Sequence, residues 1–186
     1  MKIFVHTVFL PVIMMTMIVC FPAMSASEEI KKIMEFDFES GDLQKEGWII
    51  AEGQNTKPIG NRDREYNADI PYVKHSEHYL TTLETSANDR PTDDTVCVLE
   101  SPVFVLNGNE AKFQVGGGKR PGTYVGLCPV LENGSIGEPV RIARGQDSEK
   151  MIDTVWDVTE LKGQSFVLQV VDKETGGWAH IRMDWF

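Results

Sequence analysis

Basic residues are scarce in this chain, as are cysteines, sustained helical periods and catalytic signatures. Lys and Arg total 18 against 28 Asp and Glu in 186 residues, a formal net charge of −10. Nucleic-acid binders need a clustered Lys/Arg footprint to release counterions. No such stripe occurs, so nucleic acid is excluded as a partner. There is no G-x-S-x-G, no H-E-x-x-H and no C-x-x-C, which removes the common signatures of serine hydrolases, zinc proteases and redox dithiols. Asp93 and Asp94 are adjacent and would point to opposite faces of a strand, unlike the paired carboxylates of glycosidases. His75 and His78 are three apart with no evident third metal ligand. The acid–base cluster that remains, His180, Arg182 and Asp184, suits a binding role as well as catalysis, and a non-enzyme is expected. Gly (16) and Pro (9) are at ordinary levels, which excludes collagen-like and low-complexity chains.

The three cysteines divide between two segments. Residues 1–26 carry Lys2 as their one fixed side-chain charge, then an apolar run from Ile3, then the small residues Ala23, Ser25 and Ala26. That is the order of a secretory signal peptide, with cleavage after Ser25 or Ala26. An uncleaved N-terminal anchor is the competing reading. Val19 is too bulky before Cys20 for lipoprotein processing. Without residues 1–26 the balance is 17 basic against 28 acidic residues. The expected location is secreted, periplasmic or cell-envelope, with no membrane span once the signal is removed. Cys97 and Cys128 remain, in TVCVL and YVGLCPV. They read either as a disulfide of an oxidising compartment or as two buried thiols. Asn133-Gly134-Ser135 is a glycosylation sequon if the source is eukaryotic.

From residue 28 to 186 the chain reads as one all-β domain. No stretch keeps a 3.6 period beyond about two turns. Ten or eleven strand-like runs recur instead, bounded by turn residues such as Asn107-Gly108 and Asn133-Gly134. They run from Ile33–Glu39 to His180–Trp185, with one helical turn in 157–161 ending at Gly163. This spacing predicts a β-sandwich, and the strand number favours a jelly roll. In the last run Ile181, Met183 and Trp185 alternate with His180, Arg182 and Asp184, so the first set is expected in the core and the second outside. Trp48 and Trp156 also read as core. Residues 53–77 are the least patterned, and are expected to pass over one end of the sandwich as a binding loop. Gly116-Gly117-Gly118 follows a strand with no GK[ST] behind it, so a bulge or close backbone approach is expected there rather than a phosphate loop.

An ordered series of segments carries a family resemblance. FDFESGDLQKEGW (Phe36 to Trp48), PIGNR, HYLTTLE, LESPVFVL, FQVGGG, TYVGL, WDVTELKGQ and VDKETGGWAHIRMDWF (Val171 to Phe186) follow one another through the chain. The set resembles the galactose-binding-like jelly-roll modules appended to bacterial levanase-like glycoside hydrolases and found in other exported proteins. The resemblance implies a non-catalytic carbohydrate-binding role. It also implies a structural Ca²⁺, held by an acidic residue after the first strand and one in the last; Glu39, Asp42 and Asp184 stand at those places. The departure is that no catalytic domain accompanies the module in this chain.

Sugars are held by an aromatic face against their C–H groups, with polar side chains on the hydroxyls. Trp178, in GGWAH, is the expected platform. Asn61, Arg62, His78 and His180 are the expected hydroxyl partners, and the expected partner is a polysaccharide or glycan. The alternative is a structural or protein-interaction module, engaging an envelope protein without sugar.

Overall fold

The computed structural model describes residues 34–64, 69–83 and 93–186; residues 1–26, expected as a signal peptide, lie outside them. Two antiparallel sheets account for every strand in these residues. The strands are β1 (Ile49–Gly53), β2 (Ile59–Gly60), β3 (Tyr79–Thr81), β4 (Cys97–Glu100), β5 (Phe104–Val105), β6 (Glu110–Gly117), β7 (Thr123–Pro129), β8 (Arg141–Ala143), β9 (Ser148–Asp157), β10 (Ser165–Asp172) and β11 (Ile181–Asp184). A 3₁₀ turn, Thr159–Leu161, precedes β10, and Gly163 ends that stretch with φ +78°. Sheet A has the order β1-β4-β10-β7-β8, with β5 also paired to β10, and sheet B has the order β2-β3-β11-β6-β9. The principal strands β4-β10-β7-β8 and β3-β11-β6-β9 give the two four-stranded sheets of a jelly roll. The all-β jelly-roll expectation is the fold observed.

Alternation places the core. On β6, Ala111, Phe113 and Val115 are buried, while Glu110 and Lys112 are exposed. On β10, Phe166, Leu168 and Val170 face the same interior. Trp48 and Trp156 are 1% and 7% exposed, in the core as expected. Edge-on ring contacts join Phe36 to Trp48 (5.4 Å) and Phe113 to Trp156 (4.6 Å), a geometry that aromatic quadrupoles favour.

Three expectations change. Ile33–Glu39 was expected as a strand, but residues 34–38 make none. Phe36 instead pairs with Phe186 through both main-chain groups, at 2.8 and 2.9 Å. Trp185 was expected in the core, but its φ is +48°. That turn of the backbone ends the alternation, stacks Trp185 on His75 at 4.7 Å, and sends Phe186 into the core instead. The third change concerns 53–77. Rather than passing only over one end, its later part lies across the outer face of sheet B. Tyr72 C=O accepts from Met151 N–H on β9 at 2.7 Å, and Tyr72, Tyr79 and Met151 form a second small apolar cluster. His180, Arg182 and Asp184 do point away from the main core, yet each is at most 1% exposed.

The two thiols are free and buried. Cys97 pairs with Asp172 and Cys128 with Val167, five positions apart on β10. At strand rise that is about 16 Å, well beyond disulfide reach. Burial pushes both thiols up to about 11, so neither offers a thiolate near neutral pH.

One carboxylate is buried where the two sheets meet. Asp172 is 0% exposed and accepts from Thr82 Oγ1 at 2.7 Å, while Thr82 Oγ1 itself accepts from Ile181 N–H at 3.0 Å. Burial, opposed by the hydrogen bonds from Thr82 Oγ1 and Glu174 N–H, raises Asp172 to about 7. The folded state therefore holds the proton more tightly than the unfolded chain. The Asp172 contribution is most favourable below about pH 4 and is lost as pH rises towards 7. Asp172→Asn is expected to flatten that slope and to raise unfolding stability at pH 8 by up to about 4 kcal/mol, read from urea melts at pH 4.5, 6 and 8.

Candidate functional site

The pairing brings several strand ends together. Gly53, Cys97 and Asp172 are mutual partners across β1, β4 and β10, and Asp172 pairs with Thr123 of β7. On the other sheet Ile181 pairs with Gly117. The connections at this end include 54–58, 93–96, 118–122 and 173–180. An open cleft of about 400 Å³ lies here, lined by Gly53, Gln54, Thr56, Asp94, Thr95 and Val96.

Trp178 is half-buried at the same end. Its φ is +64°, a conformation costly for a bulky residue and seen where surrounding structure imposes it. The imposing contacts are identifiable. Trp178 N–H donates to Asp93 Oδ2 at 3.1 Å, and Gly176 N–H donates to Asp93 C=O at 3.1 Å. From the other side the Arg120 guanidinium donates to the carbonyls of Thr175 (2.8 Å) and Gly177 (2.7 Å). The loop bearing Trp178 is thus clamped from two directions before any ligand arrives.

The glycine run supplies the room, as expected of a bulge and close approach. The β6–β9 register shifts between Val115 and Gly117, and Gly117 has φ +103°. A Cβ on Gly118 would lie 1.8 Å from the Trp178 carbonyl oxygen, and one on Gly117 would lie 2.4 Å from that of His180. Only glycine admits the 178–180 backbone here.

Beneath Trp178 runs a buried polar column on the outer side of β11. His180 Nδ1 is 2.6 Å from Asp93 Oδ1, and His180 Nε2 is 3.4 Å from Arg182 Nη1. Arg182 pairs with Glu149 at 2.7 Å, donates to Tyr72 Oη at 3.0 Å, and lies over the Tyr72 ring at 4.0 Å. Asp184 accepts from His75 N–H (2.6 Å), Ser76 N–H (3.0 Å) and Ser76 Oγ (2.6 Å).

The five expected sugar contacts are not brought to one place. Trp178 stands at the cleft end. His180 lies 5.7 Å behind it, ring to ring, but is 1% exposed with both nitrogens engaged; it supports Trp178 rather than meeting solvent. His78 precedes β3, whose Leu80 pairs with Met183. It therefore lies level with Trp185, about 16 Å along the strand direction from His180. Its N–H donates to Glu39 Oε1 at 2.9 Å. Asn61 is exposed and its carbonyl accepts from Lys74 Nζ at 3.1 Å. Arg62 is half-buried beyond β2, away from Trp178.

The donor set expected for calcium does not converge either. Asp42 Oδ1 accepts from Gln44 N–H (3.0 Å) and Lys45 N–H (3.3 Å), closing its own turn. Both Asp184 oxygens take N–H or O–H donors, where a calcium ligand would direct lone pairs at the ion. The set Glu39, Asp42 and Asp184 does not fit the ion. Three residues of the column, Asp93, Glu149 and Tyr72, carried no sequence signal beyond their type. Their role comes from contacts 31 to 110 positions away, as in the Tyr72–Arg182 bond of sequence separation 110.

No protein-family profile matches the chain. A stretch of 92 residues, half of this chain, is 30% identical to an Aspergillus rugulosus protein that carries a glycosyl hydrolase name, ecdE. That stretch spans 12% of the fungal protein's length. Among solved structures, the K1 cleaved adhesin domain of the Porphyromonas gingivalis W83 Lys-gingipain aligns at TM-score 0.47 and 15% identity, covering 81% of this chain and 94% of that one. TmCBM61, solved in complex with β-1,4-galactotriose, aligns at 0.43 and 12%, covering 81% and 93%. The jelly-roll assignment rests on the strand pairing described above.

The steric demand at Gly118 has a measurable consequence. Gly118→Ala is expected to lower unfolding stability by about 2–3 kcal/mol through overpacking. Gly177→Ala, whose Cβ would meet nothing within 4 Å, should stay within about 0.5 kcal/mol of the parent, both read by thermal or urea melts.

Proposed function

We propose that this protein is an exported, non-catalytic glycan-binding module that takes sugar at the Trp178 end of its sandwich. The observation that carries the reading is the pre-set Trp178. A half-buried tryptophan on a loop whose main chain is held by Asp93 and Arg120 in a conformation it would not adopt freely suits a pre-set stacking platform. Gln54, Thr56, Asp94 and Thr95 at the neighbouring cleft supply polar groups of the kind that meet hydroxyls. The signal-like segment, residues 1–26, supports export to the cell envelope or beyond. Acid–base chemistry finds little support: His180 and Asp184 are buried and committed to protein partners.

Among the described residues no helix is long and apolar enough to cross a membrane. A protein-interaction role is the second reading, favoured by exposed Ile49, Val105 and Ile142 on sheet A.

Affinity electrophoresis and glycan arrays with fructan, β-1,4-galactan and bacterial polysaccharides test the proposal. At least one glycan is expected to retard the parent protein, and Trp178→Ala should weaken it about tenfold, near the upper end of an aromatic contact's worth. Binding to no glycan, or binding indifferent to Trp178→Ala, would decide against this site.

A further inference from the structure

Far along the strand direction from Trp178, three side chains of metal-ligating type converge. Glu39, Glu77 and His78 each place one ligand-type atom within 4.8 Å of the others. We propose that this cluster binds a divalent transition ion, with zinc as its reference ion, and that it does so independently of any glycan site.

The donor set sets the class of ion. One imidazole with two carboxylates suits zinc and its first-row neighbours, whereas calcium takes oxygen alone. Three protein ligands would leave a fourth position to water, the arrangement of an open zinc site.

One nitrogen of the histidine is left without a hydrogen bond. His78 Nδ1 is shielded from solvent and makes no hydrogen bond, where a buried polar atom ordinarily has one. It lies 3.9 Å from Glu39 Oε1. Ligand atoms about a tetrahedral zinc sit roughly 3.3 Å apart, so this pair would close by about 0.6 Å and the widest separation in the set, at most 4.8 Å, by about 1.5 Å. The surroundings hold both groups near that geometry. His78 N–H donates to Glu39 Oε1 at 2.9 Å, fixing the carboxylate beside the ring. On the other side the imidazole packs on Gly41, where a Cβ would stand 3.3 Å from Nε2. Glu77 is exposed and completes the set from the neighbouring position.

An ion here would join two segments distant in sequence. Glu39 follows the Phe36–Phe38 entry into the core. Glu77 and His78 end the segment that covers the outer face of sheet B, one residue beyond the Ser76 that holds Asp184.

Calorimetric titration of the purified protein with zinc chloride in a non-chelating buffer, alongside calcium and magnesium, is the test. One zinc per chain is expected, with a rise in melting temperature, and no comparable effect of calcium or magnesium. Glu77→Gln and His78→Gln are each expected to weaken zinc binding by about tenfold or more. Glu132→Gln, an exposed acid elsewhere, should leave it unchanged. Glu77 is exposed, so its variant keeps the test decisive if the His78 variant misfolds. Absence of zinc binding, zinc binding that survives Glu77→Gln, or a preference for calcium would each overturn the proposal. Glycan retention of the same variants is unaffected in either case, so this test and the Trp178 test fail separately.

Discussion

A fully buried guanidinium governs the outer half of this molecule. Arg182 is 0% exposed on the side of β11 that faces away from the main core. An ion taken out of water is tolerable only when it is paired and hydrogen-bonded, and removing a partner from such a pair costs about 3–5 kcal/mol. Glu149 supplies the counter-charge from β9, Tyr72 supplies a hydroxyl and a ring face, and His180 closes the other side. Tyr72 can do this only if its segment crosses the sheet. That crossing is secured by the Tyr72–Met151 main-chain bond and by Ser76 on Asp184. The sheet thus acquires a second, thinner layer whose reason is electrostatic before it is hydrophobic.

The same column reaches the candidate binding end. Asp93 uses one carboxylate oxygen on His180 and the other on the Trp178 amide. The Trp178 main chain is therefore tied to the Arg182 pair through Asp93 and His180. For the glycan binding proposed at Trp178, such anchoring would lower the ordering cost, since the loop does not have to be assembled on contact.

What the sequence disclosed follows from the range of the forces involved. Period-2 alternation is local, and it placed Ile181, Met183, Trp48 and Trp156 correctly in the core. It failed at Trp185 because a single left-handed residue reverses the alternation, and nothing in MDWF announces one. The alternation of His180, Arg182 and Asp184 was read correctly as facing out of the main core; that these residues are also buried was not legible, because the covering segment comes from residues 72–78. The glycine run was legible as a close approach because absence of a side chain has few other uses inside a strand. Its beneficiary, the Trp178 carbonyl, was not. The expected sugar contacts scattered for a related reason: Trp178 and His78 look alike as loop polar-aromatic candidates, yet the register sets them toward opposite ends of the sandwich.

The two thiols offer an intrinsic pair of reporters. Cys97 lies beside the Trp178 end of β10's partner strand, and Cys128 lies level with Val167 near the opposite end. Both are buried and held in the unreactive protonated form. Each therefore becomes chemically visible only when its own end of the sandwich opens. Alkylation timed residue by residue would separate breathing at the Trp178 end from breathing at the far end without any engineered label.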